Sequence, residues 1–553
     1  MWRWRSDSHR RVNRAAAVSF EGLCICHSPA SVADRLAAVL PDTECGRGAR
    51  TVSTGQAGTT TTDGGRAHKK MNHVDRMQSR MQSKKAARLM GRIVDRTARI
   101  GVLGLGEAGL PLAVDLAGAG FTITAFDTDQ AVVASINNGR SQLPDVVRGA
   151  LEHLVGRGKF SATSETAALA DLDIVSVCTS TPADWAMSAA LLPLVRTIEH
   201  VAAHLHTGML VTIESVMYPD ATDDVVLAIL EGRGLRAGRD FFLAAAPERI
   251  APGNRLVTRR KIPKVIGGIT QDCRRLASAL YGTVVDSVVS VSSTRTAEMV
   301  HLLEATFRTV NTALVNELAL LCDRMELDVW EVIDAARTKP FDFMPFYPGP
   351  GTGASESQIG GAGLWNCRST SNGEPRLIDV AERVNATMPF AVVDLITEAL
   401  ASQAQTIRGA SLLFAGVSGK RQLDEPDSAA LSVMTLLAAR GAQISYSDPQ
   451  AATVPASAWG GGAQLDSVPL TPAALLEADC VVILTDQIGC AVENIVRHSR
   501  LVVDARNVTR RDDRKVFRLG ASHRRASVRR IPLPGPQAAR PKRSLRKSRR
   551  SNS

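Results

Sequence analysis

Residues 99–129, RIGVLGLGEAGLPLAVDLAGAGFTITAFDTD, read as strand, tight turn, helix and second strand. Ile100 to Leu103 is a short apolar run. Gly104, Gly106 and Gly109 then spell G-x-G-x-x-G, with Leu105 in the same loop. A helix is expected from about Leu110 to Ala117, stopping at Gly118-Ala119-Gly120. Phe121 to Phe126 alternates as a strand and ends at Asp127. In such a unit the first glycine permits the turn. The second lets backbone N–H groups approach a pyrophosphate at the helix N-terminus, and the third lets the helix pack on the strand. Asp127 stands 18 residues after Gly109, where a carboxylate accepts from a ribose hydroxyl and would repel a 2′-phosphate. The expected cofactor is therefore NAD.

The strand–helix rhythm continues outward. DLDIVSVCTSTP (171–182), GMLVTIESVMYP (208–219) and FFLAAAPERIAPG (241–253) are apolar runs ending in polar turns. Their ends would bring Thr181, Ser215 and Glu248 to the carboxyl edge of the sheet, where cofactors lie in doubly wound folds. Residues 294–337 keep apolar residues at helical spacing, with Arg308, Asn311, Asn316 and Glu317 among them. They predict a long, largely buried helix, and 376–408 predict another. A second α/β unit follows: SLLFAGVSG (411–419), a helix over 428–440, AQISYSDP (442–449), ADCVVILTD (478–486) and RLVVDARN (500–507). The expected fold class is α/β, with two Rossmann-like doubly wound domains joined by a long central helix or helical domain. The expected boundaries are 98–290, 291–405 and 406–508.

Composition fits a globular chain. Of 553 residues, 44% are hydrophobic and mean hydropathy is close to zero. No run of about 18 apolar residues stands out, so no membrane-spanning helix is expected. The nine cysteines are scattered, and Cys24 and Cys26 with His27 lack a second ligand pair at zinc spacing. Reduced thiols and a cytoplasmic setting are the expectation. The net charge of +11 is concentrated at the end: 509–553 hold 16 Lys/Arg against Asp512 and Asp513, a net of +14, which leaves −3 for the rest. This stretch is expected to be a disordered basic tail. It lacks the aromatic interleaving that would point to nucleic acid. Residues 1–97 are expected to be disordered or mis-annotated. TVSTGQAGTTTTDGGR (51–66) has linker composition, and Met71, Met77, Met81 or Met90 could open a shorter chain.

Taken together, GVLGLGEAGLPLA, FDTD, TSTP, APERIAPGN, PKVIGG, FRTVNTALVNELA, DVWEVIDAARTKPF, PFYPGPG and VVDARN run in order over about 99–508. In these strings the chain resembles the UDP-glucose/GDP-mannose dehydrogenases, and most nearly the UDP-N-acetylglucosamine and UDP-N-acetylmannosamine 6-dehydrogenases. The resemblance implies an NAD-binding domain, a central dimer-forming domain and a UDP-sugar-binding domain, serving polysaccharide precursor synthesis. It also implies a four-electron reaction in which a C6 hydroxyl becomes a carboxylate through an aldehyde trapped on a cysteine. Thiolate suits that step because it attacks and leaves readily.

Carried over residue by residue, the resemblance is uneven. Glu248 matches the family's glutamate. Val216 stands where the family has threonine, His301 where it has lysine, Ala305 where it has asparagine, and Glu356 where it has the nucleophilic cysteine. Arg308, Phe346, Gly349, Gly351, Gly353 and Lys420 match positions that implied contacts to the UDP-sugar would use. Cys367 lies 11 residues beyond Glu356, too far to replace the nucleophile without a bulge and a matching deletion. Three readings stay open: a dehydrogenase with impaired catalysis, a non-catalytic binder of NAD and nucleotide sugar with a regulatory or partner role, and a degraded gene product.

Overall fold

The computed structural model describes residues 73–521, apart from 142, 144–148, 180–190, 250–257, 352–375, 419–427, 487–490 and 511–512. Helix α1 (His73–Val94) leads into β1 (Arg99–Leu103), α2 (Gly109–Gly118) and β2 (Thr122–Phe126). Strands β3 (Phe160–Thr163), β4 (Ile174–Val177), β5 (Leu210–Ile213), β6 (Phe242–Ala245), β7 (Lys264–Gly268) and β8 (Val288–Ser290) complete one sheet. Its order is β3-β2-β1-β4-β5-β6-β7-β8, parallel except where β6 meets β7. Strands β1, β4, β5 and β6 are fully or almost fully buried along their length. That is why they read as continuous apolar runs rather than alternating ones. The order of strands across the sheet reverses between β1 and β4, so the loop after β1 opens at the switch point where ligands of such sheets bind.

Helix α3 (Gln271–Tyr281) backs this sheet and starts with a Thr270 cap on the Cys273 N–H. Helix α4 (Thr294–Arg324) is 31 residues long and is capped by Ser293, whose side chain accepts from the Thr296 N–H. It passes β6 and β7 and packs most extensively on α6 (Arg376–Ala401). Between them, α5 (Val329–Ala336) is capped by Asp328. The second sheet contains β9 (Ser411–Ala415), β10 (Gln443–Ser447), β13 (Cys480–Ile483), β14 (Val502–Asp504) and β15 (Val516–Arg518). Its order is β10-β9-β13-β14-β15, all parallel, and a small ribbon of β11 (Thr453–Val454) and β12 (Leu465–Asp466) stands beside it. This is a second doubly wound sheet, with its switch point between β9 and β13.

Two sequence expectations are corrected, and a third point bears on membrane spans. Residues up to 97 were expected to carry no packed structure, yet Ala86, Leu89 and Ile93 of α1 join the core of the first sheet. Lys85 pairs with Asp240 at 3.3 Å, and Arg92 with Asp173. A disordered tail was expected from 509, yet β15 pairs with β14. Arg518 forms a 2.9 Å ion pair with Asp328, and the Trp330 Nε1–H donates to the Leu519 carbonyl at 2.8 Å. The tail's charge masked a short buried strand that ties the second sheet to α5. Finally, α6 has the length and composition of a membrane span. Its Met388, Val392, Val393, Ile396 and Leu400 are completely buried against the second sheet's core, which is what a core helix of a globular chain does.

Candidate functional site

The glycine loop forms a cradle. Gly104 takes φ +90°, and a Cβ there would lie 2.9 Å from the Cys178 carbonyl oxygen. A Cβ on Gly109 would collide with the Gly104 carbonyl, while Gly106 faces open space. The cap residue of α2, Ala108, offers no side-chain oxygen to the first turn, so the helix N-terminus is left for an incoming anion. Asp127 accepts from the Leu105 N–H at 3.1 Å and from the Asp129 N–H at 3.0 Å. The carboxylate read as a ribose acceptor therefore also fixes the loop. These residues fit a dinucleotide.

At the carboxyl edge the strand ends are knitted together. The Glu214 and Ser215 N–H groups donate to the Val177 carbonyl, and the Glu248 N–H donates to the Glu214 carbonyl at 3.2 Å. Behind them lies a buried ionic cluster that sequence reasoning missed. Lys264, at the start of β7, reaches Glu214 at 2.7 Å and Glu248 at 3.3 Å. Arg259 reaches the same Glu248 oxygen at 3.1 Å. The Tyr281 hydroxyl donates to Glu214 at 2.6 Å. Lys264 is 6% exposed and Glu214 1%. Burial lifts the Glu214 carboxyl above the usual range, and the nearby Glu248 charge adds to that. Burial alone would push Lys264 down, but the Glu214 and Glu248 carboxylates outweigh it and hold the ammonium above its ordinary value. The two groups stand 2.7 Å apart, and each charge favours the charged form of the other. The legible signal was a lysine opening an otherwise apolar strand and a glutamate closing one, since neither is found buried without a partner.

Helix α4 carries two of the substituted positions, His301 and Ala305. Arg249, next to Glu248, grips Glu304 through two guanidinium nitrogens. His301 lies one turn earlier on the same helix. Both of its ring nitrogens are shielded from solvent and find no hydrogen-bond partner among the described residues. Burial drives its pKa down to about 4, a fall that Glu304 opposes and Arg308 reinforces. The ring is therefore neutral near pH 7. Ala305 is buried and offers no polar group. Cys178 is buried, and burial raises its thiol well above the usual range, so it is not a spare nucleophile.

A clamp sets the spacing between α4 and the chain after β5. Glu298 accepts from the Asp220 N–H at 2.8 Å, the Thr222 N–H at 3.0 Å and the Thr222 hydroxyl at 2.6 Å. Burial lifts its pKa to about 7, helped by Asp223 and Asp224 and resisted by the Thr222 bonds.

On the far side of α4, Phe346 meets Phe307 edge-on, with centroids 5.7 Å apart. The Gly349 N–H donates to Asn316 at 3.0 Å, and Asn316 bonds Asn385 at 2.9 Å. A Cβ on Gly349 would strike the Arg506 guanidinium, so this loop is wedged between α4, α6 and the second sheet. Arg308 lies on the same helix. Thr181, Gly353, Glu356, Cys367 and Lys420 fall outside the described residues.

Comparison with known proteins bears on the whole span. Three models of the UDP-glucose/GDP-mannose dehydrogenase family match in order: the NAD-binding domain over 98–285, the central domain over 295–387 and the UDP-binding domain over 413–511. A UDP-N-acetyl-D-mannosamine dehydrogenase of Pyrococcus horikoshii is 34% identical over 308 residues, covering 55% of this chain and 71% of that protein. A UDP-N-acetyl-D-glucosamine 6-dehydrogenase of Pseudomonas aeruginosa is 31% identical, covering 64% and 82%. The solved structure of a UDP-D-ManNAc dehydrogenase of Pyrococcus horikoshii superposes with a TM-score of 0.67 at 29% identity, covering 77% of this chain and all of that one.

Proposed function

The chain belongs to the UDP-glucose/GDP-mannose dehydrogenase family, and from that premise we propose that it binds NAD and a UDP-sugar but is impaired in oxidising the C6 hydroxyl to a carboxylate. NAD is held by Gly104, Leu105, Gly106, Gly109 and Asp127, with Ser215 at the neighbouring strand end. The UDP-sugar lies against Arg308, Phe346, Gly349 and Gly351, between α4 and the second sheet. NAD, when bound, accepts hydride. Everything else falls to the side chains.

The observation that carries the reading is His301: a neutral, partly buried imidazole with both nitrogens shielded, on the helix near Glu248. A cation there would stabilise negative charge developing on the C6 oxygen, and an amide one turn on would add a second donor. Ala305 gives none. Val216 has no hydroxyl to orient water. Glu356 has no thiol to trap an aldehyde, and a carboxylate adding to an aldehyde gives no thioester equivalent. Glu248 remains to accept a proton, steadied by Lys264 and Arg259. Groups of these kinds each contribute about 10²–10⁴-fold, non-additively.

The same reading includes a homodimer. Met299, Leu303, Phe307, Leu314, Leu318 and Leu321 are exposed at three-, four- and seven-residue steps along α4, an apolar stripe that a second copy would cover. The buried free thiols suit a cytoplasmic setting. The test is calorimetric titration with NAD and with UDP-N-acetylglucosamine, followed by analysis of a long incubation for uronate. Binding of both with no uronate supports the reading. Rapid uronate formation, or no binding of NAD, overturns it.

A further inference from the structure

The His301 side chain is partly buried, and its two ring nitrogens are shielded from solvent and meet no partner among the described residues. A buried polar group left this way is costly unless something arrives to satisfy it. A neutral imidazole presents one N–H donor and one lone-pair acceptor. That pair complements hydroxyl groups, which donate and accept. It does not complement a carboxylate, which only accepts and brings a full charge.

The surroundings sharpen the choice. Lys264 is committed to Glu214 and Glu248, Arg259 to Glu248, and Arg249 to Glu304. Each of these cations is held by carboxylates of the protein itself. A carboxylate arriving beside His301 would meet a neutral ring and face Glu248 and Glu304, with Lys264, Arg259 and Arg249 already held by carboxylates; Arg308, two turns along α4, is the further cation that bears on the ring. A sugar hydroxyl arriving there would satisfy the ring at no charge cost.

We propose that His301 makes this a site selective for the neutral, unoxidised nucleotide sugar over its uronate. This rests on the reading that a UDP-sugar occupies the cleft beside α4. The chain is then a binder that discriminates the reactant of a hydroxyl oxidation from its product. Replacing the ring by a cation should invert that discrimination, because a charge-assisted bond to carboxylate is stronger than a neutral one.

The test is titration calorimetry of the full chain with NAD present, using UDP, UDP-N-acetylglucosamine and its uronate as three separate ligands. The unmodified protein is expected to bind the neutral sugar at least ten-fold more tightly than the uronate. His301→Lys should narrow or reverse the ratio by about ten-fold or more. His301→Gln, which keeps one donor and one acceptor, should preserve it and guards against a folding defect in the lysine variant. Equal or tighter uronate binding by the unmodified protein overturns the proposal, as does a ratio unmoved in His301→Lys. If UDP binds but neither sugar improves on it, the sugar does not reach His301 and this proposal fails alone. If UDP itself does not bind, the underlying reading fails with it.

Discussion

Lys264→Met should be among the most damaging single changes in the first sheet, and its cost follows from the geometry. Lys264 and Glu214 are 6% and 1% exposed, 2.7 Å apart, with Glu248 at 3.3 Å. An exposed ion pair is worth about 0–1 kcal/mol. Removing one partner of a buried pair costs about 3–5 kcal/mol, because the remaining charge is left without compensation. At about 2–4 °C per kcal/mol for a domain of about 150–250 residues, thermal unfolding should fall by about 6–20 °C. The pH dependence gives the sign. Without its cation, the Glu214 carboxyl is raised further above its unfolded value. The folded variant then binds a proton that the unfolded chain does not, so its stability is highest at low pH and is lost as pH rises through the folded pKa. The deficit measured by differential scanning calorimetry should therefore shrink from pH 8 to pH 5. Adding Glu214→Gln to the variant should recover most of the loss. A drop below about 1 kcal/mol, or a double variant no better than the single one, would refute the claim that this pair is a buried, coupled charge cluster.

Glu298, lifted to about 7 by burial and by Asp223 and Asp224, stabilises the fold fully below its unfolded value near 4.5 and loses that contribution as pH rises through 7. The limb should span at most about 3 kcal/mol, and a pH series of melting temperatures should show it flattened in Glu298→Gln. Gly109→Ala drives a methyl into the Gly104 carbonyl and should weaken NAD binding by at least about ten-fold in a fluorescence titration. Retained affinity would sink the assignment of the loop. Leu89→Ala and Ile93→Ala, at 3% and 1% exposure in α1, should each cost about 2–5 kcal/mol in urea unfolding, whereas a dispensable N-terminal extension would show no change.

How much of this could be read from the chain varied with the kind of signal. The glycine loop was legible because the turn, the helix start and the terminal Asp127 each demand a residue type at a fixed spacing. Helix α4 was legible from its periodicity, and the observed span, Thr294–Arg324, ends where Asp328 caps the next helix. The Lys264–Glu214 pair was not, because its partners lie 50 residues apart and each alone looks like the polar end of a strand. Strand β15 was hidden for a different reason. VFR is too short to show alternation, and its arginine counted as tail charge until Asp328 gave it a buried partner. Helix α1 carries only a sparse apolar stripe, Ala86, Leu89 and Ile93, among basic residues. The chemistry of His301 was legible as a substitution, but not its unsatisfied nitrogens, which depend on what α4 faces.

The most direct test of the account is side-by-side quantitation of uronate from NAD and UDP-N-acetylglucosamine. One arm is the unmodified protein and the other carries Val216→Thr, His301→Lys, Ala305→Asn and Glu356→Cys together. The account predicts NAD binding in both and sustained uronate formation, with two NADH per product, only in the restored variant. Uronate made by the unmodified protein at a comparable rate would contradict it.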